Sequence, residues 1–265
     1  MTRFRPGAVV AAALVCLFAA AFTPVDSHAA AEVHRLSLML SGVPTSINGG
    51  DFNDAIDYYN ATHLAPQQKE LLPKVSFSWL FDGELRYFVR PNFAVTAGVS
   101  HLRAGHRNEY LPALTQSIDV RSDVITVPVH VGGSYYFSPY NQGDFQARAF
   151  LGGGYVQYTH TRASLTQTLT AADSLLTYTM TGSFKQAQTQ DAPGYYVEGG
   201  AHMFFASRFS ALLSLYYRSG ELRDMVITEN SSTASPLNPT QQFLKPTDKL
   251  DVGGVGIKLA VGIGF

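Results

Sequence analysis

The fold is decided by the stretch DVGGVGIKLAVGIGF, residues 251–265. Its odd positions from Val255 to Phe265 are all apolar, whereas its even positions from Gly254 to Gly264 are small apart from Lys258. Side chains of a β-strand point alternately to two faces, so this period of two predicts a strand with one oily face. Such a face needs an apolar partner, which is either a second sheet or lipid.

Residues 1–30 are expected to be a cleaved secretory signal peptide. Two arginines give a positive start, residues 8–22 are apolar or small, and small residues suited to cleavage follow at 27–31. This order is typical of a leader. The apolar run is shorter than the roughly 20 residues of a spanning helix, which disfavours a membrane anchor. Residues 31–265 are therefore predicted to form the folded domain, exported through the Sec pathway.

Composition excludes several classes of function. The single cysteine, Cys16, lies in the leader, so the mature chain has no thiol for disulfides, thiolate metal sites or a nucleophile. Without the leader's two arginines and one aspartate, 17 basic and 19 acidic residues remain, which leaves no basic field for nucleic acid. No later apolar stretch reaches the length of a spanning helix. If the protein crosses a membrane, it does so with strands in a closed barrel, which satisfies their backbone.

Eight strand-like segments can be laid out along the mature chain. They are approximately residues 33–43, 74–89, 92–103, 119–137, 145–161, 193–206, 208–222 and 249–265. Short turns fall near residues 90–91, 138–144 and 207. Long connections fall at 44–73, 104–118, 162–192 and 223–248. Short turns at one rim and long loops at the other are the pattern of a membrane-spanning barrel.

The faces opposite the oily ones carry most of the charge. If the oily faces meet lipid, the other faces line a lumen, and parity places ten ionisable side chains there. They are Arg35, Asp82, Glu84, Arg86, His130, Arg148, Glu198, His202, Arg218 and Lys258. An eight-stranded barrel is about wide enough for side chains to fill, and an isolated buried charge costs several kcal/mol. We therefore expect a packed, paired polar plug; a narrow channel gated by ion pairs is the alternative.

Aromatic residues give an independent indication. The outward positions at the short-turn ends of seven segments are aromatic, namely Tyr87, Phe93, Tyr135, Phe137, Phe145, Phe205, Phe209 and Phe265. They would form a girdle at one membrane interface. In a soluble sandwich or lipocalin-like barrel, which is the alternative, aromatics have no reason to gather at one rim.

The first long connection contains a helical pattern. Phe52, Ile56 and Tyr59 have helical spacing, and acidic residues occupy the first turn, with Asp51 as a candidate cap. We expect a short helix lying over the barrel mouth. Loop aromatics, including Tyr58 and Tyr110, could contact an extracellular ligand or fold back onto this helix, and the sequence leaves both open.

The layout resembles the small outer-membrane barrels of the OmpA, OmpX and OmpW kind over essentially the whole mature chain. The resemblance is carried by VPVHVGGSYYF at 127–137, AFLGGGY at 149–155 and the terminal strand. It implies an all-β fold, an eight-stranded antiparallel up-and-down transmembrane β-barrel with short periplasmic turns and four long extracellular loops. It also implies that Phe265 belongs to the signal read by the barrel-assembly machinery, that periplasmic chaperones assist, and that outer-membrane lipid and lipopolysaccharide surround the product.

Catalytic chemistry finds little support in the sequence. The histidines show no H-x-H or H-E-x-x-H spacing, so no metal site is expected. Ser100 with His101, and His160 with Thr161, lie near the outer rim, but neighbouring strand residues point to opposite faces and form no dyad. We expect no catalytic residue and no cofactor.

The sequence therefore favours a non-enzymatic outer-membrane protein of a Gram-negative bacterium, structural or surface-interacting, with a polar plugged lumen. A narrow channel for small or hydrophobic solutes is the alternative, and a lipid A-modifying enzyme is a more distant one.

Overall fold

The computed structural model describes residues 34–65, 71–113, 116–142, 145–172, 177–205, 208–232 and 249–265. The predicted leader, 1–30, and most of the predicted loop 223–248 lie outside these residues. The strands are β1 Leu36–Ser46, β2 Phe77–Arg90, β3 Phe93–Ala113, β4 Gln116–Tyr136, β5 Tyr140–Gln142, β6 Phe145–Ala172, β7 Thr177–Gln188, β8 Ala192–Phe205, β9 Phe209–Ser219, β10 Glu221–Leu222, β11 Met225–Ser232, β12 Leu250–Asp251 and β13 Gly254–Gly264.

Eight of the described strands close into an antiparallel ring. Its order is β1, β2, β3, β4, β6, β8, β9 and β13, with β13 pairing back to β1 and β6 pairing with β8. These are the eight segments expected from the alternation, each within a few residues except where β3 and β6 run on beyond their expected ends. The predicted antiparallel all-β fold is confirmed, and the backbone hydrogen bonds run round the ring.

Two of the connections expected to be long loops are instead strands. β3 continues to Ala113, which pairs with Gln116 at the start of β4, and β6 continues to Ala172 and pairs with β7, which in turn pairs with β11. β6 changes its partner strand at His160, which has a positive φ of 51°. Below this residue β6 pairs with β8, and above it with β7. The expectation of a long loop is therefore wrong for 104–118, whereas at 162–192 the strands extend beyond the ring.

The predicted helix is confirmed and named α1, Asp51–Tyr59, followed by one π-helical turn to Leu64. Phe52, Ile56 and Tyr59 are fully buried. The expected Asp51 cap is wrong, because the cap position is Gly50, at a positive φ of 52°, and no side chain caps the helix. No helix in the described part of the chain is long and apolar enough to cross a membrane.

The ring interior is filled in three layers, with "upper" meaning the end of the long connections. The lower apolar layer comprises Met39, Phe88, Ala94, Tyr136, Phe150, Phe204, Leu212 and Ala260. The central charged layer comprises Asp82, Glu84, Arg86, His130, Glu198 and Lys258, all buried. The upper apolar layer joins α1 to Val43, Leu80, Leu102, Val120, Val124, Val156, Leu165 and Phe184, with Tyr158, Tyr196 and Tyr216.

A polar contact fixes α1 within the upper apolar layer. The Tyr59 hydroxyl donates to Gln167 Oε1 of β6 at 2.8 Å. Burial, followed by the neighbouring Tyr110, raises the pKa of Tyr59, so the phenol stays protonated and remains a donor. The helix is therefore hydrogen-bonded to the part of β6 beyond His160 as well as packed within the upper apolar layer.

The outer face of the ring is apolar and exposed. Leu40, Phe81, Leu215, Leu259 and Val261 are each at least 56% exposed. Of the expected girdle, Tyr87, Phe137, Phe205, Phe209 and Phe265 are exposed, and Tyr135 and Phe145 are partly so. Phe93 is the exception, being only 5% exposed. It pairs with Tyr135 on the outer face, but its ring lies over Gly133, where a Cβ would come within 2.9 Å of it.

Candidate functional site

The central charged layer is built on one face of β2. Asp82, Glu84 and Arg86 alternate with the outward Phe81, Gly83 and Leu85, so the strand points three charged side chains inward in succession. Glu198 of β8, His130 of β4 and Lys258 of β13 complete the layer from around the ring. Burial at this level removes water from every charge, so each needs a partner inside the ring.

Lys258 holds the centre of this layer. Its ammonium lies 3.0 Å from Glu84 Oε2, 3.1 Å from Asp82 Oδ2 and 3.8 Å from Glu198 Oε2. The ammonium donates a hydrogen bond to Glu84, and the Asp82 and Glu198 carboxylates contribute through their charge. The ammonium also lies 6.0 Å from the centre of the Tyr216 ring. The buried cation of the terminal strand is thus matched by acids from two other strands.

Arg86 connects the acids to the lower apolar layer. Its guanidinium donates through Nε and Nη2 to Glu84 Oε1, at 2.9 and 2.6 Å, and through Nη2 to Glu198 Oε1 at 3.1 Å. Nη1 donates to the Tyr136 hydroxyl. That hydroxyl also lies 3.0 Å from His202 Nδ1. His202 therefore joins the charged layer through Tyr136 rather than through a carboxylate.

Asp82 accepts from three other polar groups. The Ser100 hydroxyl donates to its Oδ1 at 2.8 Å, His130 Nε2 lies 2.9 Å from the same atom, and the Ser41 hydroxyl donates to Oδ2 at 3.5 Å. Here the carboxylate stands between the serine and the histidine. This order differs from a nucleophile–base pair, in which the histidine would contact the serine.

One group of ligand-type side chains occurs among the described residues. Asp82, Glu84 and His130 bring three ligand atoms within 4.8 Å of one another. Oxygen and imidazole ligands suit several divalent metals. The Lys258 ammonium already contacts both carboxylates, however, so the chain supplies the positive charge that a metal would bring.

Three of the ten residues expected in the polar network lie apart from it. Arg218 is fully buried but at the upper end, where it donates to the carbonyls of Val252 and Ser46 and to the Thr45 hydroxyl. Arg148 lies near the lower rim, donating to Gln146 Oε1 and to the Pro91 carbonyl. Arg35 is exposed, because it precedes β1 and so lies beyond the end of the ring interior. Its inclusion in the lumen is wrong.

The expected set also missed polar members of the interior. Tyr136 and Ser100 contact the charged layer directly, and Tyr196 lies 3.0 Å from the Thr96 hydroxyl. All four occupy inward positions of their strands. The same alternation that located the charges could therefore have located them, had neutral polar residues been counted.

The chain resembles outer-membrane β-barrels. The N-terminal β-barrel domain of Pseudomonas aeruginosa OprF is 13% identical, over 86% of this chain and 97% of that one, with a TM-score of 0.33. The transport unit of the autotransporter AIDA-I from Escherichia coli is 11% identical, over 99% of both chains, with a TM-score of 0.23. No protein-family model matches the chain, and no curated protein matches it in sequence.

Proposed function

We propose that the chain is an eight-stranded transmembrane β-barrel of the bacterial outer membrane, with a sealed interior, and that it acts as a structural or surface-interacting protein. The observation that supports this proposal is that charged side chains are buried inside the ring and apolar side chains are exposed outside it, which is the reverse of a water-soluble protein. The ring buries charges such as Lys258 and Glu84 inside and exposes Leu259 and Val261 outside. A ring in water would expose this apolar surface at great cost, whereas hydrocarbon accepts it.

The height of the apolar face fits a bilayer. Val255 to Phe265 covers ten steps along β13, about 34 Å at ~3.4 Å per residue. At a strand tilt of about 40°, this corresponds to about 26 Å, close to the roughly 25 Å apolar band of such barrels. The exposed aromatics then lie at the lower interface, and the extended β3–β4 and β6–β7 hairpins rise above the upper one.

The filling of the interior supports a sealed barrel. The lower apolar layer, the central charged layer and the upper apolar layer with α1 succeed one another along the axis. Side chains as large as Arg86 and Tyr136 are fully buried within it. An eight-stranded barrel offers about the room that such side chains fill.

The test is the conductance of purified protein in a planar bilayer. A sealed barrel inserts without current steps above the background of the bare bilayer. Insertion should be verified by protease protection of the same sample. Discrete, reproducible current steps from inserted protein would contradict the sealed interior.

A narrow channel is the second candidate. It is favoured because each cation of the charged layer lies near more than one carboxylate. Arg86 lies within reach of both Glu84 and Glu198, and Lys258 within reach of three carboxylates. Cations with more than one partner can exchange them, which is the step that an ion-pair gate needs. Conductance that appears only in Lys258→Met would favour this candidate.

We propose further that the protein is not an enzyme. Ser100 points inward to Asp82, and His101 is exposed on the outer face, so the two cannot act together. The lipid A mass spectrum of cells with and without the gene is expected to be unchanged. A deacylated or acyl-shifted species that depends on the gene would contradict this.

A protein placed in the outer membrane must be exported and then assembled there. The leader at residues 1–30 would direct export, and Phe265, exposed at the end of β13, would be read during assembly. Its N–H donates to the Leu36 carbonyl, which holds the last residue beside β1 at the seam of the ring. Deleting Phe265 should lower the amount of assembled protein in outer-membrane fractions; unchanged assembly would contradict this role.

A further inference from the structure

The outer face of β3 and β4 changes within a few residues from apolar to charged, with three arginines among the charged side chains. Along β3 the outward side chains include Val95, Ala97 and Val99, followed by His101, Arg103 and Arg107. Successive outward residues are about 6.8 Å apart on a strand. The change therefore takes place over the depth at which a bilayer passes from acyl chains to headgroups. Two adjoining surface depressions lie where the apolar side chains give way to charged ones.

The lower depression is an apolar groove of about 470 Å³. It is bordered by Leu40, Phe81, Val99 and Val127, and its floor is Gly83, which has no side chain to fill it. A Cβ at Gly83 would meet Leu40 Cδ2 at 3.8 Å, an ordinary contact, so the space is open rather than closed by a neighbour. The groove has the lining and the open side that an acyl chain requires.

A break in the β-ladder accompanies this groove. The pairing of β3 with β4 is interrupted between Val99–Val129 and Leu102–Thr126. Pro128 lies in the interval and has no N–H to donate to the neighbouring strand. The interruption occurs beside His101 and Val127, where the groove meets the basic residues above it.

The upper depression, of about 420 Å³, is lined by Arg103, Arg107 and Arg121 with Asp123. The three arginine side chains are 53%, 62% and 52% exposed. Asp123 accepts from both Arg103, at 2.9 Å, and Arg121, at 3.2 Å. One carboxylate thus serves two guanidinium groups and neutralises only one of them.

The third arginine, Arg107, has its own carboxylate partner but lies opposite a like charge. Arg107 pairs with Asp119 at 2.9 Å, but it also stands directly opposite Arg121 in the β3–β4 register. Like charges directly opposite one another on one face are destabilising. An anion between them would remove the repulsion, and guanidinium groups have N–H donors enough to bind a phosphate as well as a carboxylate. On β3, Glu109 is the next outward residue above Arg107, so the basic region is limited to the three arginines 103, 107 and 121.

We propose that the two depressions form one binding site for a phosphorylated glycolipid of the outer leaflet, the lipid A class. One acyl chain lies in the groove at Gly83, and a phosphate contacts Arg103, Arg107 and Arg121. This site rests on the proposed membrane placement and deepens it, because it identifies one lipid that the barrel holds. Charge complementarity above and apolar shape below select an anionic lipid over a neutral one.

The test measures binding of fluorescent lipid A to protein folded in detergent micelles. Lipid A with its phosphates should bind at least about tenfold more tightly than the same lipid treated with phosphatase, and more tightly than phosphatidylglycerol. The triple variant Arg103→Gln, Arg107→Gln, Arg121→Gln should lower the affinity by about tenfold or more. Gly83→Leu, which fills the groove with an apolar side chain suited to the lipid face, should also weaken binding.

Two matched controls should keep the wild-type affinity. Arg223→Gln removes an exposed, paired arginine elsewhere, and Ala201→Leu enlarges an outward side chain of β8 across the ring. Affinity unchanged in both the arginine and Gly83 variants overturns the site, as does equal binding of phosphatase-treated lipid. Equal binding of phosphatidylglycerol overturns its assignment to lipid A. Wild-type protein that fails to insert into vesicles overturns the membrane placement itself, whereas inserted protein without selective binding overturns this site alone.

Discussion

The central charged layer and the upper apolar layer fill the same ring by opposite means. In the charged layer, carboxylates of β2 and β8 hold Lys258 and Arg86, and each ion depends on the others. In the upper layer, Phe52 and Ile56 fill the mouth by packing, without charge. We therefore expect the charged layer to tolerate no single loss of charge, whereas the upper layer can lose side-chain volume gradually.

The largest effect is expected from Lys258→Leu. This change leaves Asp82 and Glu84 buried without their shared ammonium, so it should lower the free energy of unfolding by about 3–5 kcal/mol. The measurement is urea unfolding of the protein in lipid vesicles, followed by tryptophan fluorescence. Lys185→Leu is the control, since Lys185 and Glu229 form an exposed pair worth about 0–1 kcal/mol.

A double-mutant cycle sharpens this prediction. Lys258→Leu combined with Glu84→Leu should cost less than the sum of the single changes, because the second removes a charge that the first leaves unpaired. Additive losses, or a loss at Lys258 no larger than at Lys185, would show that the ion pairs do not hold the centre of the barrel.

A smaller loss is expected from Ile56→Ala in the upper apolar layer. Buried Ile→Ala changes cost about 2–5 kcal/mol, and we expect the lower end, because α1 lies at the mouth and can shift to reduce the cavity. The measurement is the same unfolding experiment. Tyr58→Ala on the exposed side of α1 is the matched control and should change stability little. Equal losses at both positions would contradict the packing of α1 into the mouth.

The smallest effect is expected from Tyr59→Phe. It removes the hydrogen bond from the Tyr59 hydroxyl to Gln167 and keeps the ring, so the cost should be about 1 kcal/mol. Limited proteolysis of the segment after α1 should become faster, while the barrel stays resistant. A wild-type cleavage rate would mean that packing alone holds the helix.

The sequence predicted the ring strands well, because apolar side chains outside and charged side chains inside give a strong period of two. It failed at the upper ends of β3 and β6. On upper β3, polar residues such as Arg107 outside and Asn108 inside remove that contrast. On β6, the extra residue at His160 reverses the parity, so Val156 and Tyr158 are buried below it and Ala163 and Leu165 above it. Beyond such a bulge, the period of two no longer predicts which side chains are buried.

The charged layer was predictable as a set of inward residues but not as a set of pairs. Inward parity placed Asp82, Glu84 and Lys258 inside. Their contact depends on β13 and β2 facing each other across β1 at a particular register, which a single sequence does not specify. Arg218 illustrates the reverse case, since correct parity placed it inside but gave no indication of its height along the axis.

The most direct test of the central claim is a nitroxide scan along β13 in lipid vesicles, with single cysteines introduced from Val255 to Phe265. Collision with oxygen, which concentrates in hydrocarbon, and with a water-soluble nickel complex should alternate with a period of two. The odd positions, Leu259 and Val261 above all, should be open to oxygen and closed to nickel, and the even positions closed to both. Access of the nickel complex to the odd positions near the middle of the strand would contradict the membrane-facing outer surface.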